Sequence, residues 1–146
     1  MLFQDKKIMN RVQLVTEELI NQLIIDTQSS SKGWSRICLH ESVNSLIHCM
    51  IMCMLPNINS GMHAHSSNAE LITYSYLMNS FTVEIGQNDK ICQSVIICKE
   101  NPVLAIPDST FRSVKNPSSR PVVYIEQRLG PYRAEKIEWF DSTHKN

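Results

Sequence analysis

The densest group of residues able to do chemistry is Met62-His63-Ala64-His65-Ser66-Ser67-Asn68-Ala69-Glu70. His63 and His65 are two positions apart, so on an extended strand both imidazoles point the same way. Glu70 follows five residues later, room enough for the chain to turn and begin the next strand. Two imidazoles and a carboxylate can occupy one face of an octahedral metal and leave positions open. That donor set suits Fe(II), Mn, Ni or Zn. Without a metal, the same groups can serve as acid and base near neutral pH. The plain alternative is a pair of histidines sharing a surface turn, and H-x-H by itself does not separate these readings.

A second set of polar residues lies on segments that read as strands. Tyr124, Glu126 and Arg128 alternate with Val123 and Ile125. Such alternation usually puts the polar side in solvent, but it also allows Glu126 and Arg128 to point into a pocket mouth. Arg36 joins them if its strand faces the same way. His48 lies on a mostly apolar strand face, either as a hydrogen-bonded core residue or as a pocket histidine. His40 is less informative, and His144 sits near the end of the chain. The row Met50, Met52, Met54 reads as lining, because methionine fills irregular gaps.

One helix and a series of strands must position these groups. Leu19, Ile20, Leu23 and Ile24 recur with helical period, predicting a helix over Thr16–Thr27. Thr16 can cap its first turn, where Glu17 and Glu18 suit the helix dipole. The polar stretch Gln28–Gly33 ends it. Short strands follow: Trp34–Leu39, Ser45–Met54, Leu71–Leu77, Ser80–Ile85, Ile91–Cys98, Val103–Ile106, Thr110–Lys115 and Val122–Arg128. Turn-forming residues such as Pro56–Gly61, Gly86–Asp89 and Asn116–Ser119 separate them. Ser45–Met54 is apolar on both faces, so it is expected to be covered on both sides. Eight strands at this spacing predict an antiparallel sandwich or small barrel. The expected division is a helical lead-in at 1–33, a barrel at 34–140 and a tail at 141–146, with the chain fraying from Trp139 onward.

The composition narrows the function classes. Of the 146 residues, 42% are apolar, enough to exclude wholesale disorder. Length alone points to one domain that needs no disulfide or metal to fold. Lys plus Arg (14) balance Asp plus Glu (14), which argues against a nucleic-acid binder. The apolar runs are far short of the ~18 residues of a membrane span, and the segment MLFQDKK does not open a signal peptide. The five cysteines contain no C-x-x-C pair and read as buried free thiols of a reducing compartment, so the expected location is cytoplasmic.

H-x-H-x4-E after a Gly/Pro turn, in a small all-β chain, resembles the first cupin motif. The second cupin motif would be Ile106–Asn116, where Pro107, Thr110, Phe111 and Asn116 fit. The segments Arg36–His40, His48 with Met50, and Ile125-Glu126-Gln127-Arg128-Leu129-Gly130-Pro131-Tyr132 look more specifically like the WbuC family, with Gly-Pro-Tyr the most specific of them. The resemblance covers roughly residues 10–140. It implies an all-β fold, a small jelly-roll-like cupin barrel with one N-terminal helix, whose lumen holds one small ligand. Members of the family are commonly found in gene clusters for bacterial surface polysaccharide and are described as cupin metalloproteins. Cupins also often pair through their sheets, which implies a homodimer. The implied function is a metal-dependent enzyme acting on a sugar or nucleotide-sugar, with a divalent metal on His63, His65 and Glu70. Sugar 3,4-ketoisomerases, likewise cupin-like, carry a His-Ala-His segment and need no metal. A non-catalytic barrel that captures a small anionic ligand is the third reading.

Two departures from the cupin pattern bear on these readings. Arg112 stands where the fourth metal ligand, a histidine, would be. A guanidinium has no lone pair to donate and repels a divalent cation, so metal affinity should be weakened. Arg112→His is then expected to raise metal occupancy. Alternatively, Arg112 opens into the lumen and binds a carboxylate or phosphate. The glycine that usually closes the first motif is missing, and nearby Asn79 tolerates left-handed backbone.

Overall fold

The computed structural model describes residues 13–65, 71–129 and 137–140. Helix α1 (Glu17–Gln28) is capped by Thr16, whose hydroxyl accepts a hydrogen bond from the Leu19 amide at 3.1 Å. Glu17 and Glu18 fill its first turn, as the dipole favours. Its buried residues are Ile20, Leu23 and Thr27. No described helix is long and apolar enough to cross a membrane.

Ten strands follow among the described residues: β1 (Trp34–Cys38), β2 (Ile47–Met54), β3 (His63–His65), β4 (Leu71–Met78), β5 (Phe81–Gln87), β6 (Lys90–Ile97), β7 (Val103–Pro107), β8 (Phe111–Lys115), β9 (Val122–Leu129) and β10 (Ile137–Trp139). They form two antiparallel five-stranded sheets, in the orders β1-β2-β9-β4-β7 and β10-β3-β8-β5-β6. Eight strands match the sequence expectation closely. The two extra ones, β3 and β10, are three residues long and pair with each other. Trp139 is therefore not fraying: it lies in register opposite His63. The next residue, Phe140, donates its amide to the Met62 carbonyl at 3.1 Å.

Strand β2 is covered on both sides, as its two apolar faces require. Ile51 and Cys53 join Ile37, Val123 and the helix residues Ile20 and Leu23 in one apolar cluster. Met54 faces the other way, into the core between the sheets with Ile72, Tyr74, Phe81, Val83, Val114 and Tyr124. Phe81 stacks on Tyr124 with ring centroids 4.7 Å apart. That core fills only part of the space between the sheets, and the remainder is a cavity.

Turn chemistry follows the sequence. Asn88 and Asp89 both take positive φ in the two-residue turn joining β5 to β6, the conformation that hairpins prefer. Asn79 has φ 61°, the left-handed backbone its side chain tolerates. Its Nδ2 donates to the Pro121 carbonyl at 2.7 Å. Asn116 is a structural tie: its Nδ2 donates to the carbonyls of Met54 and Arg120 at 3.0 and 2.7 Å.

Candidate active site

A cavity of about 640 Å³ lies between the sheets, within the range of small-ligand sites. Six residues singled out from the sequence line it: Arg36, His48, His63, His65, Glu126 and Arg128. Strand register explains the convergence. Met50 pairs with Glu126, which pairs with Tyr74 on its other side. His48 pairs with Arg128. Alternation then keeps Tyr124, Glu126 and Arg128 on one face, and that face lines the cavity. The methionines at 50, 52 and 54 also line it.

His63 and His65 share the inner face of β3, with ring centroids 5.3 Å apart. His63 Nδ1 lies 2.9 Å from the Gly61 carbonyl, so Nδ1 carries the proton and Nε2 keeps a lone pair. Burial lowers the pKa of His63, partly opposed by the Gly61 bond, and the Arg112 charge lowers it further. His65 is pushed down to about 3, by burial first and then by the Arg112 and Arg128 guanidiniums. Both imidazoles are neutral at pH 7.

Arg112 stands in register directly opposite His63, but its guanidinium does not line the cavity. It is fully buried and committed to protein acceptors. Nε donates to the Tyr74 hydroxyl at 3.0 Å, Nη1 to the Asp108 carbonyl at 2.7 Å and Nη2 to Asp108 Oδ1 at 2.9 Å. This differs from the expectation of an arginine opening toward a ligand: a deeply buried guanidinium needs partners more than it can offer donors. Asp108, also fully buried, uses its other oxygen for Arg128 Nη2 at 2.8 Å. Its carbonyl further accepts the His65 amide at 3.0 Å. Sequence reasoning placed Asp108 only in a turn. Its position four residues before Arg112 was the available signal, since a buried arginine requires a carboxylate. Tyr74 and Trp139 were likewise not singled out.

Arg36 and Glu126 are two ionisable groups of the cavity wall. Among the described residues, Arg36 Nη1 donates to Met50 Sδ at 3.7 Å, a weak acceptor. The Glu126 carboxyl lines the same cavity. Burial raises its pKa, against the lowering pull of Arg112, Arg128 and Arg36. His48 is the hydrogen-bonded wall residue rather than an open group. Its Nε2 lies 3.2 Å from the Val43 carbonyl, and its ring stacks on His40 at 4.1 Å. Burial and the His40 charge lower its pKa.

The described residues do not make a metal site. No three His, Cys, Asp or Glu side chains among them come together as a ligand set. Both Asp108 oxygens are taken by guanidiniums, and two cations flank the paired imidazoles. Glu70 and Gly130-Pro131-Tyr132 lie outside the described residues. A metal on His63 and His65 would depend on Glu70 as its third ligand.

No family model matches the chain, and no curated protein matches it either. Solved structures do. The capsular polysaccharide assembling protein CapF from Staphylococcus aureus aligns over 77% of this chain and 33% of its own, at TM-score 0.59 and 10% identity. Bacillus subtilis oxalate decarboxylase, a protein with Mn(II) centres, aligns over 75% of this chain and 29% of its own, at TM-score 0.59 and 15% identity. The Cupin_2 domain of an XRE family transcriptional regulator from Enterobacter cloacae aligns over 68% of this chain and 99% of its own, at TM-score 0.53 and 13% identity. The chain thus spans about a third of the length of the first two. Identities this low speak to the fold alone, and on that fold they agree with the two-sheet topology: the chain folds as a small cupin β-sandwich, preceded among the described residues by the one helix α1.

Proposed function

We propose that the cavity binds a small sugar-type ligand with an anionic group, and that His63 and Glu126 move a proton on it without a metal. One observation carries this reading: His63 and Glu126 each present an open titratable group to the same cavity, with pKa values shifted in opposite directions. Opposed shifts of that kind assign a base and an acid. Neutral His63 takes the proton from a carbon next to a keto group through Nε2. The electron pair of that C–H bond moves to the carbonyl, whose oxygen receives the Glu126 proton. The resulting enediol collapses when Glu126 takes the proton of the other hydroxyl, whose carbon becomes the new carbonyl, and His63 returns its proton to the former carbonyl carbon, giving an isomerised keto-sugar. Arg36 offers its guanidinium to the anionic group. Asp108, Arg112 and Arg128 hold the floor and keep His65 neutral.

The sugar class is supported by the WbuC-like segments and by the fold neighbour named for capsular polysaccharide assembly. A nucleotide-sugar in surface polysaccharide synthesis is the substrate class we infer. The free cysteines suit the cytoplasm, where we place it. A metal-assisted reaction on the same ligand is the competing reading and depends on Glu70. The test is incubation with nucleotide-linked keto-hexoses in D2O. Solvent deuterium in the sugar ring, lost in His63→Ala and Glu126→Gln, is the expected result. No deuterium in any keto-sugar sinks the proposal.

A further inference from the structure

Trp139 is 60% exposed, an unusual state for so large an apolar ring in a site-lining position. It lines the cavity, and its register partner is His63, the proposed base. The two rings lie with centroids 5.0 Å apart at 37°. The indole lies close against Gly61, which has no side chain to displace it. A Cβ on Gly61 would meet a Trp139 ring carbon at 3.0 Å, and its φ of +78° disfavours side chains independently. The ring is thus seated against the backbone leading into β3, with His63 at its side. The chain's other tryptophan, Trp34, also lines the cavity, but Lys32 Nζ already sits 5.3 Å over its ring.

We infer that Trp139 is a stacking platform for the ring of a pyranose bearing an anionic group, which it holds against His63. This deepens the proposed function and rests on the same cavity. An indole face takes the C–H face of a sugar ring without demanding a particular hydroxyl pattern. It also has few rotamers to lose on binding. Arg36, which lines the same cavity, takes the anionic group, and the exposed Trp139 takes the ring. Carboxylate and phosphate are alternative sources of that charge.

The experiment uses the whole chain with 15N-labelled tryptophan, whose two indole N–H signals are assigned with Trp139→Phe. Four probes are titrated: glucuronate, glucose 1-phosphate, inorganic phosphate and uridine. The Trp139 signal should move with glucuronate or glucose 1-phosphate and stay fixed with inorganic phosphate and uridine. The probe that moves it identifies the anionic group. Trp139→Ala should weaken that probe about 3- to 10-fold, with Trp139→Phe between the two and an unshifted Trp34 signal reporting an intact fold. A Trp139 signal that no sugar moves, or that only uridine moves, overturns the inference. So does one that shifts with protein concentration alone, which would mean a second copy covers the ring. Deuterium exchange tests the proton-transfer reading separately: platform binding without exchange would sink that reading and leave Trp139 in its role.

Discussion

Asp108 takes the Arg112 guanidinium at 2.9 Å, with neither side chain open to solvent. Its second oxygen holds Arg128 at 2.8 Å. Arg112, which the resemblance to the second cupin motif sets where a metal-binding histidine would stand, is one arm of a buried ion network.

That network changes what Arg112→His should do. An imidazole cannot reach Tyr74, the Asp108 carbonyl and the Asp108 carboxylate together, so one side of a buried carboxylate loses its partner. Breaking a buried pair typically costs about 3–5 kcal/mol. The variant should show a lower denaturation midpoint, read by urea unfolding, with no gain in metal by elemental analysis. A stable variant that binds a full equivalent of metal would show that the ligand set is intact and the network dispensable.

Glu126→Gln should stabilise the protein at neutral pH while abolishing exchange. The folded pKa of Glu126 is raised above its unfolded value. Its contribution is thus fully present below the unfolded pKa and is lost as pH rises through the folded one. Glutamine has no such loss. The variant's melting point should exceed wild type at pH 7.5, and the difference should shrink toward pH 4.

Acid acts through the histidines. His65 is depressed to about 3, and His48 and His63 are also lowered. The unfolded chain therefore binds more protons than the folded one below the ordinary value of about 6.5. Stability is full above that pH and falls as pH drops toward 3, by up to ~1.4 kcal/mol per pH unit for each histidine. Thermal melts between pH 7.5 and 4.5 should show this decline, and His65→Gln should flatten it. A flat wild-type profile would contradict neutral buried imidazoles.

His63→Ala should leave the melting point nearly unchanged. His63 is only partly buried, and its one hydrogen bond among the described residues goes to Gly61. A large drop would make the histidine structural.

Much of this was legible because it is local. The Leu19–Ile24 stripe, the Thr16 cap and the doubly apolar β2 are set by neighbours in the chain, and they fold as read. The alternation of Tyr124, Glu126 and Arg128 gave their common face, but not which side of the sheet was solvent. β3 and β10 were missed because His-Ala-His and Ile-Glu-Trp carry no apolar run. They are strands because each completes the other's ladder, a tertiary effect that propensity does not contain. Asp108 looks like a turn residue because Pro-Asp-Ser-Thr is turn chemistry. Its burial comes from two arginines, one of them on a strand twenty residues away.

The central claim is proton transfer by His63 and Glu126 with no metal taking part. It is tested most directly by deuterium incorporation into a nucleotide-linked keto-sugar, using chelator-treated protein whose metal content is measured in the same sample. Exchange that persists at the untreated rate with metal far below stoichiometric, and vanishes in His63→Ala, is the result expected here. Exchange that disappears with the metal and returns on adding iron, manganese, nickel or zinc would contradict it and make Glu70 the missing ligand.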